Sequence, residues 1–311
     1  MYYFIVNYFG GSGNAKRTWD RVHFLLKKKN IEYKAYVTKR PGHARSLAAR
    51  ISTLDDNDIK LVVVGGDGTI NEAINGVTDF SRIRFGIIPT GSGNDFARGL
   101  GIPKDTEKAL DMIISSDKGR KIDVGEVITD QNEKRRFVIS SGIGLDAIVC
   151  KKIIGSKRKK LMNKLKHGNL SYIMITISSL FTMKKYKVKV TMMDDKTKDD
   201  EVESFDDLIF LAAMNCPAEG GGVLMSPDAK PDDGKLSICA VSGIPKWKTF
   251  FLLPALCRGK HVGKKGFLLR DLEGMVFESE VPMVLHADGE YVGDVNRIEI
   301  FVMQDILRVL V

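Results

Sequence analysis

The feature that most constrains the fold is a buried strand that leads directly into a glycine-rich loop and then into a helix, between residues 60 and 77. Residues 61–64 are Leu-Val-Val-Val, a run that is typical of a strand buried on both faces. The next four residues contain three glycines and Asp67. The apolar residues beyond them repeat at helical spacing: Ile70, Ala73, Ile74 and Val77. Glycine lets the backbone approach a bulky ligand, and free amides at a helix start attract phosphate. Since a carboxylate there would repel phosphate unless a cation intervened, we expect a nucleotide-phosphate loop with Asp67 linked to a metal.

A tight strand-to-helix turn explains one such loop equally well, because Gly and Asp are common in turns. Two further strand candidates, residues 3–6 and 84–88, are also followed by polar, glycine-rich loops. In an open α/β sheet such loops gather at the carboxyl ends of the strands, where ligands bind. There is no Walker A sequence, and the one dinucleotide-like motif, residues 142–147, lacks an acid about twenty residues later. The pattern therefore favours a phosphate ligand and disfavours a Rossmann dehydrogenase.

The order of predicted elements changes near residue 121. Before it, short strands alternate with helices, which predicts a doubly wound α/β domain with a mostly parallel sheet. After it, the pattern predicts antiparallel strands, one of them over residues 207–214, with a helical insertion around residues 147–181 and an exposed polar loop at 194–204. A length of 311 residues suits about two domains, and we expect the second to be rich in β-structure.

The net charge of +9 is concentrated in a basic stretch at residues 151–166. Such a stretch is either a solvated helix face or a surface that docks on anionic lipid headgroups, where each basic residue adds roughly 1 kcal/mol. Nucleic-acid binding is disfavoured, because no aromatic residues interleave with the lysines. The longest apolar run, residues 170–181, is too short to span about 30 Å of hydrocarbon, and the N-terminus lacks the features of a signal peptide. We therefore expect a soluble, cytoplasmic protein.

Two loops together resemble a known family. Residues 65–69, Gly-Gly-Asp-Gly-Thr, and residues 89–98, Pro-Thr-Gly-Ser-Gly-Asn-Asp-Phe-Ala-Arg, resemble the diacylglycerol kinase catalytic-domain family, in particular the soluble bacterial lipid kinases. NAD kinases and phosphofructokinases share a similar first loop, so the second loop carries the distinction. The resemblance implies an NAD kinase-like and phosphofructokinase-like α/β domain formed by residues 1–122 and 297–311. It also implies a β-rich sandwich, residues 123–296, that binds the lipid.

The resemblance further implies ATP as the nucleotide, Mg²⁺ as the metal, and a lipid alcohol such as diacylglycerol as the acceptor, with phosphatidic acid as the product. The nucleotide-contacting positions that it implies are Asn7, Gly11, Thr38, Gly65, Gly66, Asp67, Gly68, Thr69, Ile70, Asn71 and Ser92. Tyr8 stands where the family commonly has proline. Ser92 stands where threonine is common, but it keeps the hydroxyl.

The candidate base lies in the sequence Asp288-Gly289-Glu290. Asp-Gly between apolar runs is a strong hairpin signal, so from the residues alone a plain β-turn is favoured. The resemblance assigns acid or base work to this element. Either Asp288 or Glu290, with Glu290 slightly favoured, would accept the proton of the lipid hydroxyl as its oxygen attacks the γ-phosphorus. Asp67 completes the predicted catalytic set through its metal.

Magnesium is expected in two places. One ion accompanies the nucleotide near Asp67. The other, implied by the resemblance, is a structural ion at Asp233, with the main-chain carbonyls of Lys230 and Lys235 as partners, since oxygen ligands suit magnesium. Asp233-Gly234 is also an ordinary hairpin signal. The glycines at 220–222 are either a flexible loop or a place where the lipid approaches the backbone.

Two other functions remain open from the sequence. One is an NAD kinase, which shares the first loop. The other is a non-catalytic basic module that binds a membrane or RNA. Under the leading interpretation the protein acts peripherally at the inner membrane surface, without a nucleic-acid partner. Edge strands in a β-rich domain make a homodimer plausible, and several lipid alcohols fit the acceptor: diacylglycerol, ceramide, sphingoid bases and undecaprenol.

Overall fold

A computed structural model describes residues 1–9, 14–56, 58–155, 168–193 and 201–311. The chain divides into two compact units. The first unit comprises Met1–Val124, Pro231–Asp233 and Met303–Val311, and the second comprises Gly125–Lys230 and Gly234–Val302. None of the helices in the described part of the chain is both long and apolar enough to cross a bilayer.

The first unit alternates strands with helices. Its elements are β1 (Tyr2–Val6), α1 (Asn14–Lys28), β2 (Tyr33–Val37), α2 (His43–Ser52), β3 (Ile59–Gly65), α3 (Asp67–Gly76), β4 (Ile83–Pro89), α4 (Asp95–Gly99) and α5 (Thr106–Ser115). The four strands pair in parallel in the order β4-β3-β1-β2. The parallel α/β architecture predicted from the alternating pattern is confirmed.

The core of the first unit forms because apolar strand residues meet apolar helical stripes. Helix α1 buries Trp19 and Leu26 on one face, against Phe4 of β1 and Val62 of β3. Strand β3 is buried along almost its whole length, as expected for the central strand of a sheet covered on both faces. This packing fixes the carboxyl ends of β1, β3 and β4, from which the glycine-rich loops extend.

The second unit is mainly antiparallel. Its elements are β5 (Arg120–Thr129), β6 (Lys134–Phe137), β7 (Ser140–Gly144), α6 (Leu145–Gly155), α7 (Gly168–Thr182), β8 (Tyr186–Met193), β9 (Glu201–Leu208), β10 (Phe210–Met214), β11 (Leu236–Val241), α8 (Lys246–Cys257), β12 (Phe267–Leu272), β13 (Gly274–Ala287) and β14 (Glu290–Val309). Strand β5 begins, and strand β14 ends, in residues of the first unit. There Arg308 of β14 pairs in parallel with Arg84 of β4.

Strand β13 joins the two layers of a β-sandwich. Its first half pairs with β8, which pairs with β9. Its last residues pair with β7, next to which lie β10, β11 and β12. A register shift between Glu278 and Met283 separates the two halves, and such irregularities bend a strand. The apolar residues between the layers form the sandwich core.

The outer face of the β7-β10-β11 layer is also buried, because helices α6, α7 and α8 cover it. Strand β10 shows this directly. Leu211 and Ala213 belong to the sandwich core, while the alternate residues Phe210, Ala212 and Met214 pack with the helices. A strand buried on both faces has no polar alternation, in agreement with its continuous apolar sequence.

Three details of the predicted elements were wrong. Residues 201–204 of the predicted loop 194–204 belong to β9, while residues 194–200 lie outside the described range. The single strand expected at 207–214 is interrupted at Ile209 and supplies parts of both β9 and β10. Helix α8 was not predicted at all. Its apolar residues surround the helix on all sides and Pro254 lies inside it, so no helical stripe marks it in the sequence.

Candidate active site

The two glycine-rich loops that follow β3 and β4 lie backbone against backbone. The N–H of Thr90 donates to the carbonyl of Gly65 at 2.9 Å. A Cβ added at Gly91 would lie 2.7 Å from the Cα of Gly66, and a Cβ at Gly66 would lie 2.9 Å from the Cα of Gly91. Both distances are too short for real atoms, so this close approach requires glycine at both positions.

Asp67 links the second loop to the first. It is the first residue of α3, and its carboxylate accepts the N–H groups of Asp95 at 3.2 Å and Phe96 at 3.3 Å, at the start of α4. The side chain of Asn94 closes the second loop through two 2.8 Å hydrogen bonds with the backbone of Gly91. Because a carboxylate offers about four lone-pair sites, Asp67 can hold α4 in place and still coordinate a cation.

The loop after β1 joins the same region. Asn7 donates from its side-chain nitrogen to the hydroxyl of Thr69 at 2.8 Å. The N–H of Thr38, at the end of β2, donates to the carbonyl of Val6 at 2.9 Å. Gly11, another predicted nucleotide contact, lies outside the described residues. The described parts of the predicted nucleotide loops therefore converge at one edge of the parallel sheet.

Exposure separates the predicted nucleotide residues into two groups. Ile70 and Asn71 are fully buried, backbone included. Ser92 is exposed. The hydroxyl of Thr90 is buried and has no hydrogen-bond partner among the described residues. Such an unsatisfied group is unusual, and a bound phosphate would satisfy it, so the glycine cradle and this hydroxyl fit a nucleotide. The sequence analysis did not single out Thr90.

The predicted Asp-Gly hairpin is present between β13 and β14. Ala287 pairs with Glu290, and the two turn residues have φ of 49° and 77°, which is the left-handed geometry of a tight hairpin. The carboxylate of Asp288 accepts the N–H groups of three consecutive residues: Val138 at 3.0 Å, Ile139 at 2.7 Å and Ser140 at 3.2 Å. Asp288 therefore connects the hairpin to the start of β7, while the side chain of Glu290 is exposed.

A cluster of three ionisable residues lies beside this hairpin and was missed by the sequence analysis. Nε2 of His286 lies 3.0 Å from the carboxylate of Asp146, and the hydroxyl of Ser140 donates to Glu219. The ligand atoms of Asp146, Glu219 and His286 all lie within 4.8 Å of one another. A Cβ at Gly142 would lie 2.6 Å from the carboxylate of Asp146. The glycine of the dinucleotide-like motif thus makes room for this acid.

Electrostatics keep the ring of His286 protonated at neutral pH. Burial lowers its pKa, but the charge and hydrogen bond of Asp146, with further contributions from Glu219 and Asp288, outweigh burial and raise the pKa to about 9. The N–H of Gly289 lies 3.3 Å from Nδ1, a long contact that the second ring proton would displace. A metal ion bound to these three residues would have to displace the proton from Nε2 of His286.

An apolar cavity of about 530 Å³ opens beside the cluster. It is lined by residues of α6, α7, β10 and α8 and by the loop after β10: Leu145, Asp146, Val149, Ile173, Thr176, Ile177, Phe210, Glu219, Gly220, Val223, Met225, Phe250, Phe251, Leu253, Pro254, Leu256 and Cys257. Asp146 and Glu219 are its only charged lining residues in the described part of the chain. Gly220, from the glycine run at 220–222, belongs to the wall.

The thiol of Cys150, on α6, is influenced by three carboxylates. Desolvation raises the pKa of the Cys150 thiol, and the negative charges of Glu219, Asp146 and Glu290 raise it further. The role of Glu290 as a base stays a prediction.

The remaining predicted residues are placed as follows. Lys230 and Lys235 belong to the second unit and Asp233 to the first, where its neighbour Asp232 forms an ion pair with Arg120 at 2.6 Å. The metal set of Lys230, Asp233 and Lys235 stays a prediction.

Of the basic stretch 151–166, the described lysines contact other residues of the second unit. Lys151 forms an ion pair with Asp294 at 2.6 Å, and Lys152 donates to the hydroxyl of Ser179 at 2.9 Å. The rest of the stretch, from residue 156 onward, lies outside the described residues.

Comparisons with known proteins agree with this architecture. Residues 1–127 match the family model described as the diacylglycerol kinase catalytic domain, and residues 140–311 match the model described as the YegS C-terminal NAD kinase beta sandwich-like domain. A crystal structure of a proposed diacylglycerol kinase from Bacillus anthracis str. Sterne superposes with a TM-score of 0.75 at 22% identity. The superposition covers 99% of this chain and 96% of the other. The two-domain α/β fold with a C-terminal sandwich is therefore shared.

Curated relatives cover almost the whole chain. The proposed lipid kinase YtlR of Bacillus subtilis (strain 168) is 31% identical over 94% of this chain and 94% of its own length. A protein named diacylglycerol kinase from Staphylococcus saprophyticus is 30% identical over 97% of this chain and 95% of its own length. The chain belongs to the diacylglycerol kinase catalytic-domain family. Membership of this family identifies it as an enzyme, a lipid kinase.

Proposed function

We propose that the protein transfers the γ-phosphate of ATP, in the presence of Mg²⁺, to the hydroxyl of diacylglycerol or a closely related lipid alcohol. The observation that carries this proposal is the cavity of the second unit, whose walls are apolar except at the end formed by Asp146 and Glu219. Such a cavity accepts a hydrocarbon chain, and its carboxylates accept hydrogen bonds from hydroxyl groups at the head of the lipid.

The first unit supplies the nucleotide side of the reaction in this proposal. The paired glycine loops let the phosphates approach the backbone, and the buried hydroxyl of Thr90 is positioned to donate to a phosphate oxygen. Asp67 would hold the magnesium ion, which neutralises the charge that develops on the transferred phosphoryl group. Mg²⁺ at Asp233, with the carbonyls of Lys230 and Lys235, belongs to the proposal as a structural ion.

Glu290 is the proposed base, and Asp288 is proposed to position it. The carboxylate of Asp288 is engaged by three backbone N–H groups, whereas the side chain of Glu290 is exposed on the adjoining residue of β14. Glu290 would take the proton of the lipid hydroxyl as its oxygen attacks the γ-phosphorus. The bond from the γ-phosphorus to the bridging oxygen then breaks, and ADP leaves.

The NAD kinase alternative is disfavoured by the same cavity. A dinucleotide carries phosphates, and an apolar cavity whose charged groups include two carboxylates is a poor site for an anion. A non-catalytic membrane-binding module would need no carboxylates in an apolar cavity. Action at a membrane surface follows from the acceptor, because diacylglycerol resides in the bilayer.

The test uses purified protein with γ-labelled ATP, Mg²⁺ and, in parallel, diacylglycerol in mixed micelles, ceramide, a sphingoid base, undecaprenol and NAD. We expect label in an organic-extractable product with diacylglycerol. Label in NAD would support the alternative, and binding of ATP without transfer to any acceptor would refute the kinase proposal. Glu290→Gln should lose turnover, while Glu280→Gln, a matched change at an exposed glutamate of β13, should not.

A further inference from the structure

Helices α7 and α8 expose large apolar side chains that a folded protein normally buries. Ile173, Met174, Phe181, Trp247 and Phe251 are each between 51% and 70% exposed. Isolated exposed apolar residues are ordinary, but five on two adjacent helices form a patch of the kind that marks an interaction surface. We call these five residues the α7–α8 face.

The α7–α8 face belongs to a packed part of the fold. Trp247 and Phe251 are four residues apart on α8 and therefore lie on one side of the helix, while Thr249 and Leu256 are buried. The rings of Phe181 and Phe250 lie 6.0 Å apart, which connects the two helices. The ammonium group of Lys246 donates to the carbonyls of Phe181 and Met183 at the end of α7. The exposed side chains are therefore held in place by the fold.

Two residues of the α7–α8 face also line the apolar cavity. Ile173 and Phe251 line the cavity and are also 52% and 70% exposed. Apolar surface is therefore continuous from the outside of the two helices into the interior of the second unit. A hydrocarbon chain could enter the cavity along these apolar side chains.

The sequence segments that contain α7 and α8 carry charge of one sign. Residues 147–193 and 234–270, which contain α7 and α8, include 20 of the 48 basic residues and none of the 39 acidic ones. The rest of the chain has 28 basic and 39 acidic residues, so these two segments account for the whole positive net charge. In the described structure, exposed basic residues lie within α8 and in the segment after it: Lys248, Arg258, Lys260, Lys264 and Lys265.

We infer that the α7–α8 face docks on an anionic lipid bilayer, with Trp247 inserted among the headgroups and the cavity opening towards the acyl chains. This inference rests on the proposed lipid acceptor and specifies how the enzyme reaches it. A second copy of the chain would bring two basic rims together, which repel each other, whereas an anionic bilayer complements both the apolar centre and the basic rim. Tryptophan is favoured at the membrane–water boundary because its ring is amphipathic.

The first experiment measures where Trp247 lies when the intact protein is bound to vesicles. The chain has two tryptophans, and Trp19 is buried in the core of the first unit. On vesicles that contain phosphatidylglycerol, brominated acyl chains should quench the fluorescence of the wild type. The variant Trp247→Phe should show little quenching although it still sediments with the vesicles. Binding without any quenching of Trp247 would overturn the inference.

The second experiment removes apolar side chains of the face that do not line the cavity. The double variant Met174→Ser/Trp247→Ser should sediment with phosphatidylglycerol vesicles at least about tenfold more weakly, because the lost apolar burial weakens partitioning. Phe24→Ser is the matched control, since Phe24 is 56% exposed on α1 of the first unit. Equal binding of the double variant and the wild type would refute the docking face.

Two readouts separate docking from catalysis and from dimerisation. The double variant should phosphorylate a short-chain, monomeric diacylglycerol at the wild-type rate and should lose activity only on vesicle-embedded substrate. If no lipid is phosphorylated by the wild type although Trp247 is quenched, the docking face stands and the proposed function fails. The face would instead belong to a dimer interface if two results were obtained together. The wild type would form a concentration-dependent dimer in sedimentation velocity that the double variant does not form, and the wild type would not bind vesicles.

Discussion

Substitutions at the two acids of the β13–β14 hairpin should separate stability from turnover. The carboxylate of Asp288 accepts N–H groups from residues 138–140 at 2.7–3.2 Å and is nearly buried. The Oδ1 atom of Asp288 accepts all three N–H groups, and in Asp288→Asn it becomes a neutral amide oxygen, so each of the three hydrogen bonds loses the assistance of a charge. Hydrogen bonds to a charged group contribute about 1.5–3 kcal/mol each. We expect the free energy of unfolding to fall by about 2–4 kcal/mol, although asparagine tolerates a φ of 49°.

The substitution Glu290→Gln, two residues further on, should leave stability unchanged and abolish turnover. The side chain of Glu290 is exposed on β14, so the free energy of unfolding should change by no more than about 0.5 kcal/mol. If Glu290 takes the proton of the acceptor hydroxyl, its amide cannot do so, and kcat should fall by about 10²–10⁴-fold. The affinity for ATP should remain unchanged in this variant.

The assay is urea denaturation followed by circular dichroism, together with initial rates of label transfer to diacylglycerol per mole of folded protein. Asp288→Asn should unfold at lower urea while the folded fraction retains most of its kcat. Glu290→Gln should unfold like the wild type without turning over. An Asp288→Asn protein of wild-type stability without activity would refute the positioning role of Asp288. An active Glu290→Gln protein would refute the proposed base.

Three further predictions follow from the two units. Gly91→Ala should weaken ATP binding at least about tenfold by equilibrium dialysis, because the new Cβ would lie 2.7 Å from the backbone of the first loop. Ile177→Trp should raise KM for long-chain diacylglycerol more than for a short-chain analogue, because the indole fills the cavity that Ile177 lines. His286 has a pKa raised from 6.5 to about 9 by folding, so its stabilisation is complete below pH 6.5 and is lost as the pH rises through 9. The free energy of unfolding of the wild type should therefore fall by about 3 kcal/mol over this window relative to His286→Gln.

Each of these three predictions has a control variant or an outcome that would refute it. Gly293→Ala is the matched control for Gly91→Ala, because a Cβ at Gly293 would make only an ordinary contact at 3.7 Å. The Gly293→Ala variant should bind ATP normally. Equal increases in KM for long and short acceptors would show that Ile177→Trp acts outside the cavity. A wild type and a His286→Gln variant whose stabilities remain parallel from pH 6 to pH 9.5, measured by urea denaturation, would refute the raised pKa.

Local patterns were sufficient for the parallel sheet of the first unit and for the glycine-rich loops after β3 and β4. A run of β-branched residues, a glycine-rich turn and an apolar helical stripe each depend on neighbours within about ten residues. They can therefore be recognised from a short segment of the sequence. The Asp288-Gly289 hairpin was predicted for the same reason. The sequence could not distinguish Asp288 from Glu290, because the N–H groups that engage Asp288 belong to residues about 150 positions earlier.

The cavity and its acidic end depended on tertiary structure alone. His286 and Asp146 are 140 positions apart in the chain and meet only because β13 pairs with β7, after which α6 begins. Helix α8 has no polar face because one side packs on the sheet and the other lies exposed beside the cavity, so hydrophobic periodicity could not reveal it. A strand or loop is set by interactions along the chain. A pocket, a raised pKa and an exposed apolar face are set by which distant segments the packing brings together, and sequence spacing does not encode that proximity.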